Sequence, residues 1–273
     1  MTNQQISQAY IPSQGKIFPL EGACDGPFAL TLVDAGFLQR LLPPDLVLAP
    51  NPFSQQDKHP LMLMFDKVTL RLNDNLERIA AEYQLKATEH QLNLELNYNE
   101  FIVMLPYVQF KRDNSLSDGI LYCFLPVLYL DSLLAVVGGR VFWEFNKRLS
   151  RFVIDTTRYQ VRSWLGTLLL SSTGTMDGDP IPGSIVSNFV AITPILDLPV
   201  IEYGGYGYVS SIYKVEYQNQ VISPSSIYFS NQSSEYLPAG SLTVPSIRQN
   251  VMGCFDMTYN WKLSFIKFHP KQR

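Results

Sequence analysis

Two adjacent cations close an aromatic stretch near the middle of the chain, Arg140-Val141-Phe142-Trp143-Glu144-Phe145-Asn146-Lys147-Arg148. Lysine is ordinarily a solvated residue. A lysine held against apolar groups and beside a second positive charge loses proton affinity, because both disfavour the ammonium form. The neutral amine is then a nucleophile toward carbonyl carbon and can form a Schiff base. Lys147 is the candidate nucleophile on this reading, and Arg148 the charge that tunes it. The other reading is a strand end with both cations in water. Glu100 poses the same choice. It stands directly before the apolar run Phe101-Ile102-Val103-Met104-Leu105. Either it ends a strand in water, or it faces a partly dry cavity, where it could handle protons or pair with a cation.

The elements that must position these groups read as mostly β. A polar arm or loop is expected over residues 1–22, then a strand over Phe28–Val33 and a short helix over Ala35–Leu42. Pro43-Pro44 stops that helix. Strands are expected over Leu46–Ala49 and Leu61–Leu72, with a loop over Asn51–Pro60 between them. Asp74–Lys86 has helical spacing at Leu76, Ile79 and Tyr83. Leu92, Leu94 and Leu96 alternate with polar residues and open a strand reaching Val108. After a polar connection over Lys111–Gly119, Ile120–Leu130 reads as a buried strand. Asp131-Ser132 caps a short helix over Leu133–Val137, ended by Gly138-Gly139.

Beyond the two cations, strands are expected over Phe152–Asp155, Gln160–Leu170, Phe189–Ile195 and Val200–Tyr203. Ser171–Gly183 carries many Gly, Pro and Asp residues and reads as a flexible segment. Gly204-Gly205-Tyr206-Gly207-Tyr208 reads as a turn or bulge and lacks the context of a nucleotide-binding loop. Val209–Gln218 and Val221–Phe229 read as a hairpin turning at Asn219. The aromatic tail from Val244 completes a sheet or a subunit contact. With no internal repeat and no linker, residues 1–273 read as one β-rich domain with a closed or highly curved sheet.

Composition narrows the function. Hydrophobic residues are 46% of the 273 and charged residues 16%. Low charge with 15 Tyr and 16 Phe suggests surface buried between subunits. The formal net charge of −3 and the absence of a basic patch argue against a nucleic-acid partner. Cys24, Cys123 and Cys254 are far apart and odd in number, which is not a disulfide framework or a metal knuckle. His59, His90 and His269 lie in unrelated contexts. No long uncharged apolar run and no basic-then-apolar leader is present, so a cytoplasmic location without membrane attachment is expected.

The chain resembles the acetoacetate decarboxylase family. The matching pieces occur in the family's order: Leu41-Leu42-Pro43-Pro44-Asp45-Leu46, Tyr98-Asn99-Glu100, Tyr129-Leu130-Asp131, and Gly139-Arg140 through Phe145-Asn146-Lys147-Arg148-Leu149. The resemblance runs from about residue 25 to 260 and is most specific over 98–150. It implies a mainly β chain with a few short helices, closed into a cone-like, double-psi or curved β-barrel, and a homo-oligomer. It also implies that Lys147 forms an imine with a small β-keto acid and that Glu100 is an active-site glutamate. Arg148 stands where the family has a second lysine. Arg140, Phe142 and Phe145 are the expected substrate-binding residues.

One departure concerns an N-terminal arginine of the family, which would fall near Cys24 or Asp25, where this chain has no cation; its first arginine is Arg40. The implied reaction is decarboxylation through an iminium on Lys147, and it needs no metal or organic cofactor. The same lysine chemistry serves aldolases and dehydratases of keto acids, which is a second reading. A non-catalytic barrel that binds a small apolar ligand is a third.

Overall fold

The computed structural model describes residues 21–53, 55, 57–71, 95–143, 146–204, 207–215, 217 and 220–270. Most of the expected N-terminal arm and the expected helix Asp74–Lys86 lie outside the described residues. Residues 21 and 22 open the first strand instead of closing an arm.

That strand, β1 (Glu21–Asp34), alternates buried and less buried positions over its first five residues, is buried throughout Pro27–Thr31 and runs into a short helix, α1 (Ala35–Leu41). Asp34 caps the helix by accepting from the Phe37 N–H at 2.6 Å. Then come β2 (Leu46–Leu48), β3 (Lys58–Arg71), β4 (Glu95–Phe110) and β5 (Tyr122–Leu130). Every residue of β5 is buried, as its unbroken apolar run implies.

Helix α2 (Leu133–Trp143) follows, with Ser132 Oγ accepting from Ala135 N. It continues through Gly138-Gly139 instead of ending there, since helical glycine costs only about 1 kcal/mol. Lys147 therefore begins the strand β6 (Lys147–Ile154) and does not end one. The hairpin β7 (Arg158–Ser163) and β8 (Leu168–Met176) divides the single strand expected over Gln160–Leu170. Its turn uses Gly166 at φ +96°. The Ser/Thr-rich end of β8 pairs on both edges, so the first part of the expected flexible segment is sheet.

After β9 (Ile181–Pro182), residues Ser187–Leu196 form α3 and not the expected strand. Phe189, Ile192, Ile195 and Leu196 are buried on one helical face. The rest is strand: β10 (Val200–Tyr203), β11 (Gly207–Lys214), β12 (Val221–Asn231), β13 (Gly240–Val244) and β14 (Cys254–Pro270). The expected β11–β12 hairpin does not form. β11 pairs with β10 and the second half of β14, whereas β12 pairs with β8, β9, β13 and the first half of β14.

The strands belong to one sheet, and the sheet closes. Following neighbours through β12, β14, β1, β3, β4, β5, β6, β7, β8 and back to β12 gives a nine-strand barrel. The sheet also forks twice. One edge of β5 pairs with β10 at Cys123–Phe124 and with β6 at Leu128–Leu130. One edge of β14 pairs with β12 and then with β11. Between the forks, β1, β3, β4 and β5 carry a separate core on each face. Phe28, Met64, Val68, Ile102, Leu128 and Leu130 share one, and Ala29, Leu63, Phe65, Phe101, Val103 and Tyr129 share the other. Among the described residues no helix is long and apolar enough to cross a membrane.

Candidate active site

Lys147 sits at the β5 fork. Alternation places it on the face of Leu149, which packs into the first core, and Arg148 on the opposite face. Three rows of side chains cross the Lys147 face. Tyr259, Cys24, Val68 and Tyr98 form one row. Asp66 and Glu100 stand opposite one another in the next, followed by Leu130 and Leu149. Met64, Ile102, Leu128 and Lys147 form the third. Glu100 and Lys147 thus occupy adjoining rows with β5 between their strands, about 12 Å apart at the backbone. A glutamate and a lysine reaching toward each other close that gap.

Glu202 approaches from the other side of the fork. It lies on β10, whose Val200 packs into the same core, and its carboxylate accepts from the backbone N–H of Asn146. Asn146 is itself held to β5: its Nδ2 donates to the Pro126 carbonyl, and its carbonyl accepts from Leu128 N at 3.1 Å. Arg140 Nε donates to the Lys147 carbonyl at 2.7 Å and ties the end of α2 to the start of β6. That contact gives Arg140 a positioning role for the Lys147 backbone. Phe142 is in α2, but its side chain lies outside the described residues, and Phe145 lies outside them altogether.

The electrostatics follow from burial. Removal from water lowers the proton affinity of Lys147, and the carboxylates of Glu100 and Glu202 oppose that change. Burial pushes Glu100 up from 4.5 to about 7, with Lys147 pulling the other way. Glu202 is raised well above the ordinary carboxylate range, first by burial and further by Glu100; Lys147 and the Asn146 N–H act against this. Glu100 and Glu202 are 8% and 2% exposed, and Oε2 of Glu202 has no hydrogen-bond partner among the described residues. At neutral pH the site thus holds an amine with weakened proton affinity beside Glu100, near the midpoint of its titration, and Glu202, whose proton affinity is raised.

Arg148 is not among the charges acting on Lys147. Its Nη2 donates to Glu235 Oε1 at 3.0 Å and to the Tyr236 hydroxyl at 2.5 Å, and its guanidinium lies 4.9 Å from the Tyr236 ring centre. The expectation that Arg148 tunes the lysine meets the geometry of a strand, in which neighbours face apart. Desolvation does that work. Replacing Arg148 by Gln is expected to leave the pH dependence of Lys147 acylation unshifted, as read by peptide mass spectrometry. The loss of the exposed Glu235 pair should lower stability by less than about 1 kcal/mol.

Three further groups were missed from sequence. Asp66 interrupts the apolar run Leu61–Phe65, and Glu202 stands inside Val-Ile-Glu-Tyr, so a carboxylate within an apolar strand was the available signal. Cys24 has no such signal, and it neighbours Asp66 only because β1 pairs with β3.

Glu100 links this site to stability. Its folded pKa lies above its unfolded value, so below pH 4.5 it is protonated in both states. As pH rises from 4.5 to about 7 the unfolded chain releases the proton first, and stability falls; above that range the full penalty is present. At about 1.4 kcal/mol per unit, the penalty is about 3 kcal/mol. Urea unfolding in metal-free buffer should show wild type losing stability relative to Glu100→Gln between pH 5 and 8. Parallel curves would contradict the burial of this carboxyl.

No protein-family model and no curated protein sequence matches the chain. Solved structures do. The enduracididine biosynthesis enzyme MppR with HEPES buffer bound aligns at 14% identity and a TM-score of 0.57, over 93% of this chain and 89% of that one. MppR complexed with pyruvate aligns at 14% and 0.56, over 92% and 90%. Acetoacetate decarboxylase from Legionella pneumophila subsp. pneumophila str. Philadelphia 1 aligns at 13% and 0.54, over 96% and 94%. These similarities establish the fold, and the chain is a closed β-barrel of the acetoacetate decarboxylase-like type.

Proposed function

We propose that this protein is a carbon–carbon lyase that decarboxylates a small β-keto acid through a Schiff base on Lys147. The observation that carries the reading is the pairing of Lys147, its proton affinity lowered by desolvation, with Glu100 and Glu202 on the sheet face that carries the first apolar core. A lysine in water is almost wholly protonated at neutral pH and cannot attack a ketone.

The steps balance without an outside reagent. Neutral Nζ attacks the ketone carbon and forms the C–N bond. The carbinolamine takes a proton onto its hydroxyl, loses water and leaves an iminium. The bond from the α-carbon to the carboxylate then breaks, CO2 departs, and its electron pair enters the iminium to give an enamine. Protonation at the α-carbon and hydrolysis release the ketone and restore the amine. Glu100, with a pKa of about 7, can both give and take a proton near neutral pH, which suits the carbinolamine and enamine steps.

A second reading is favoured by one specific observation. Two carboxyls flank Lys147, which is more proton-handling capacity than decarboxylation requires. Aldol addition and dehydration of keto acids also remove a proton from the carbon beside the iminium. MppR, of similar fold, is complexed in one structure with a condensation product of pyruvate and imidazole 4-carboxaldehyde. The discriminating assay offers acetoacetate, a longer β-keto acid, and pyruvate with an aldehyde, and follows CO2 release and product mass. CO2 from a β-keto acid is the expected result. Condensation or dehydration products without CO2 would replace decarboxylation by the second reading.

A further inference from the structure

Beside Glu100 lie two buried side chains, Cys24 and Asp66, that the imine chemistry does not use. Cys24 Sγ, one carboxylate oxygen of Asp66 and one of Glu100 lie within 4.8 Å of one another. The three residues are 3%, 2% and 8% exposed. Asp66 and Glu100 face each other directly across β3 and β4, and Cys24 reaches the same spot from β1.

Three groups that can each carry negative charge are brought together out of water here. A second observation asks for a ligand: Asp66 Oδ1 is buried and has no hydrogen-bond partner among the described residues. Its Oδ2 accepts from the Tyr259 hydroxyl at 3.3 Å, which holds the carboxylate in place beside Cys24. Orphaned buried acceptors are rare because each forfeits its hydration.

We propose that Cys24, Asp66 and Glu100 form a three-ligand site for a zinc-type divalent cation, on the same sheet face as Lys147. One thiolate with two carboxylates suits zinc and not magnesium or calcium, which take all-oxygen shells. Three protein ligands also leave a fourth position open, as in metal sites that engage a substrate. Tyr259 supplies the outer hydrogen bond that orients Asp66. The sequence spacing concealed the set, since its members lie on three strands. A bound cation would place positive charge beside Glu100, hold a substrate carboxylate there and disfavour protonation of Lys147, and proton transfer at the imine would then fall to Glu202.

The test uses the full chain stripped of metal with chelator, gel-filtered, and titrated with Co2+ and then Zn2+. One equivalent of Co2+ should bind with tetrahedral visible bands and a thiolate charge-transfer band in the near ultraviolet, and Zn2+ should displace it. Cys24→Ser should abolish the charge-transfer band and weaken binding by at least about 100-fold. Glu100→Gln, which keeps side-chain volume, should weaken binding comparably, and circular dichroism establishes that both variants fold. Lys147→Met should bind Co2+ as wild type does, so failure of the imine reading leaves this result intact. No stoichiometric binding, a cobalt spectrum without the sulfur band, or unchanged affinity in folded Cys24→Ser would overturn the proposal.

Discussion

Lys147→Met is expected to lower turnover of the preferred keto acid by roughly 10⁴-fold or more, because it removes the only atom that bonds to substrate in the proposed reaction. Lys147→Arg should lose as much. Its guanidinium is always protonated and cannot form the imine, although it supplies the same charge to Glu100 and Glu202. The two variants therefore separate nucleophile from counter-ion. If the lysine acted only as a charge, arginine would rescue much of the activity and methionine would not. Folding should change little in the methionine variant. The half-buried lysine already has lowered proton affinity, and both carboxyl partners are raised toward their neutral forms. Removing one member of a buried pair is costly when it leaves its partner charged; here both carboxyls can take up protons, which limits the cost. A methionine variant that is folded by circular dichroism and within tenfold of wild-type turnover would contradict the assignment.

The second large effect is on the scaffold. Gly26→Ala is expected to destabilise the protein by at least about 3 kcal/mol. A Cβ at residue 26 would sit 1.8 Å from the Phe65 carbonyl oxygen and 2.9 Å from its carbon. Both are backbone atoms of β3 and cannot rotate away. The β1–β3 ladder would have to open where it runs beside Asp66, so Asp66 and Cys24 would move with it. Urea denaturation with the native chain as reference measures the effect. An alanine variant with an unchanged midpoint would show that β1 and β3 do not approach as closely as described. The neighbouring Gly22 is a milder case, because its close contacts are to the ring of the Trp261 side chain.

How much of this was legible in the residues differs from element to element. The strands of the barrel wall announce themselves as apolar runs and alternations, and β3, β4 and β5 were placed to within a few residues. Helix α3 was misread because Phe189, Ile192, Ile195 and Leu196 were weighed by apolar content and not by their spacing of three and four. Helix α2 was cut short because glycine pairs usually end helices, yet the backbone can continue through them at modest cost. The supposed β11–β12 hairpin failed because both strands find partners in β14, more than 25 residues downstream of β12's start, and no local pattern encodes that choice.

Candidate-site residues divide in the same way. Lys147 and Glu100 were singled out by type and context, and the structure brings them into electrostatic contact. The opposite facing of Arg148 follows from strand alternation once Lys147 is known to begin a strand. Glu202, Asp66 and Cys24 reach the Lys147 face only through the β5 fork and the β1–β3–β4 ladder. Their placement is a property of long-range register, which single-sequence reading does not resolve.

The most direct test of the account is borohydride trapping. The protein is incubated with acetoacetate, and separately with a longer β-keto acid, and then reduced. Peptides are read by mass. The account predicts a reduced adduct on the peptide carrying Lys147, absent in Lys147→Met. Absence of an adduct on Lys147 with every keto acid offered, or an adduct of equal yield on another lysine, would contradict it.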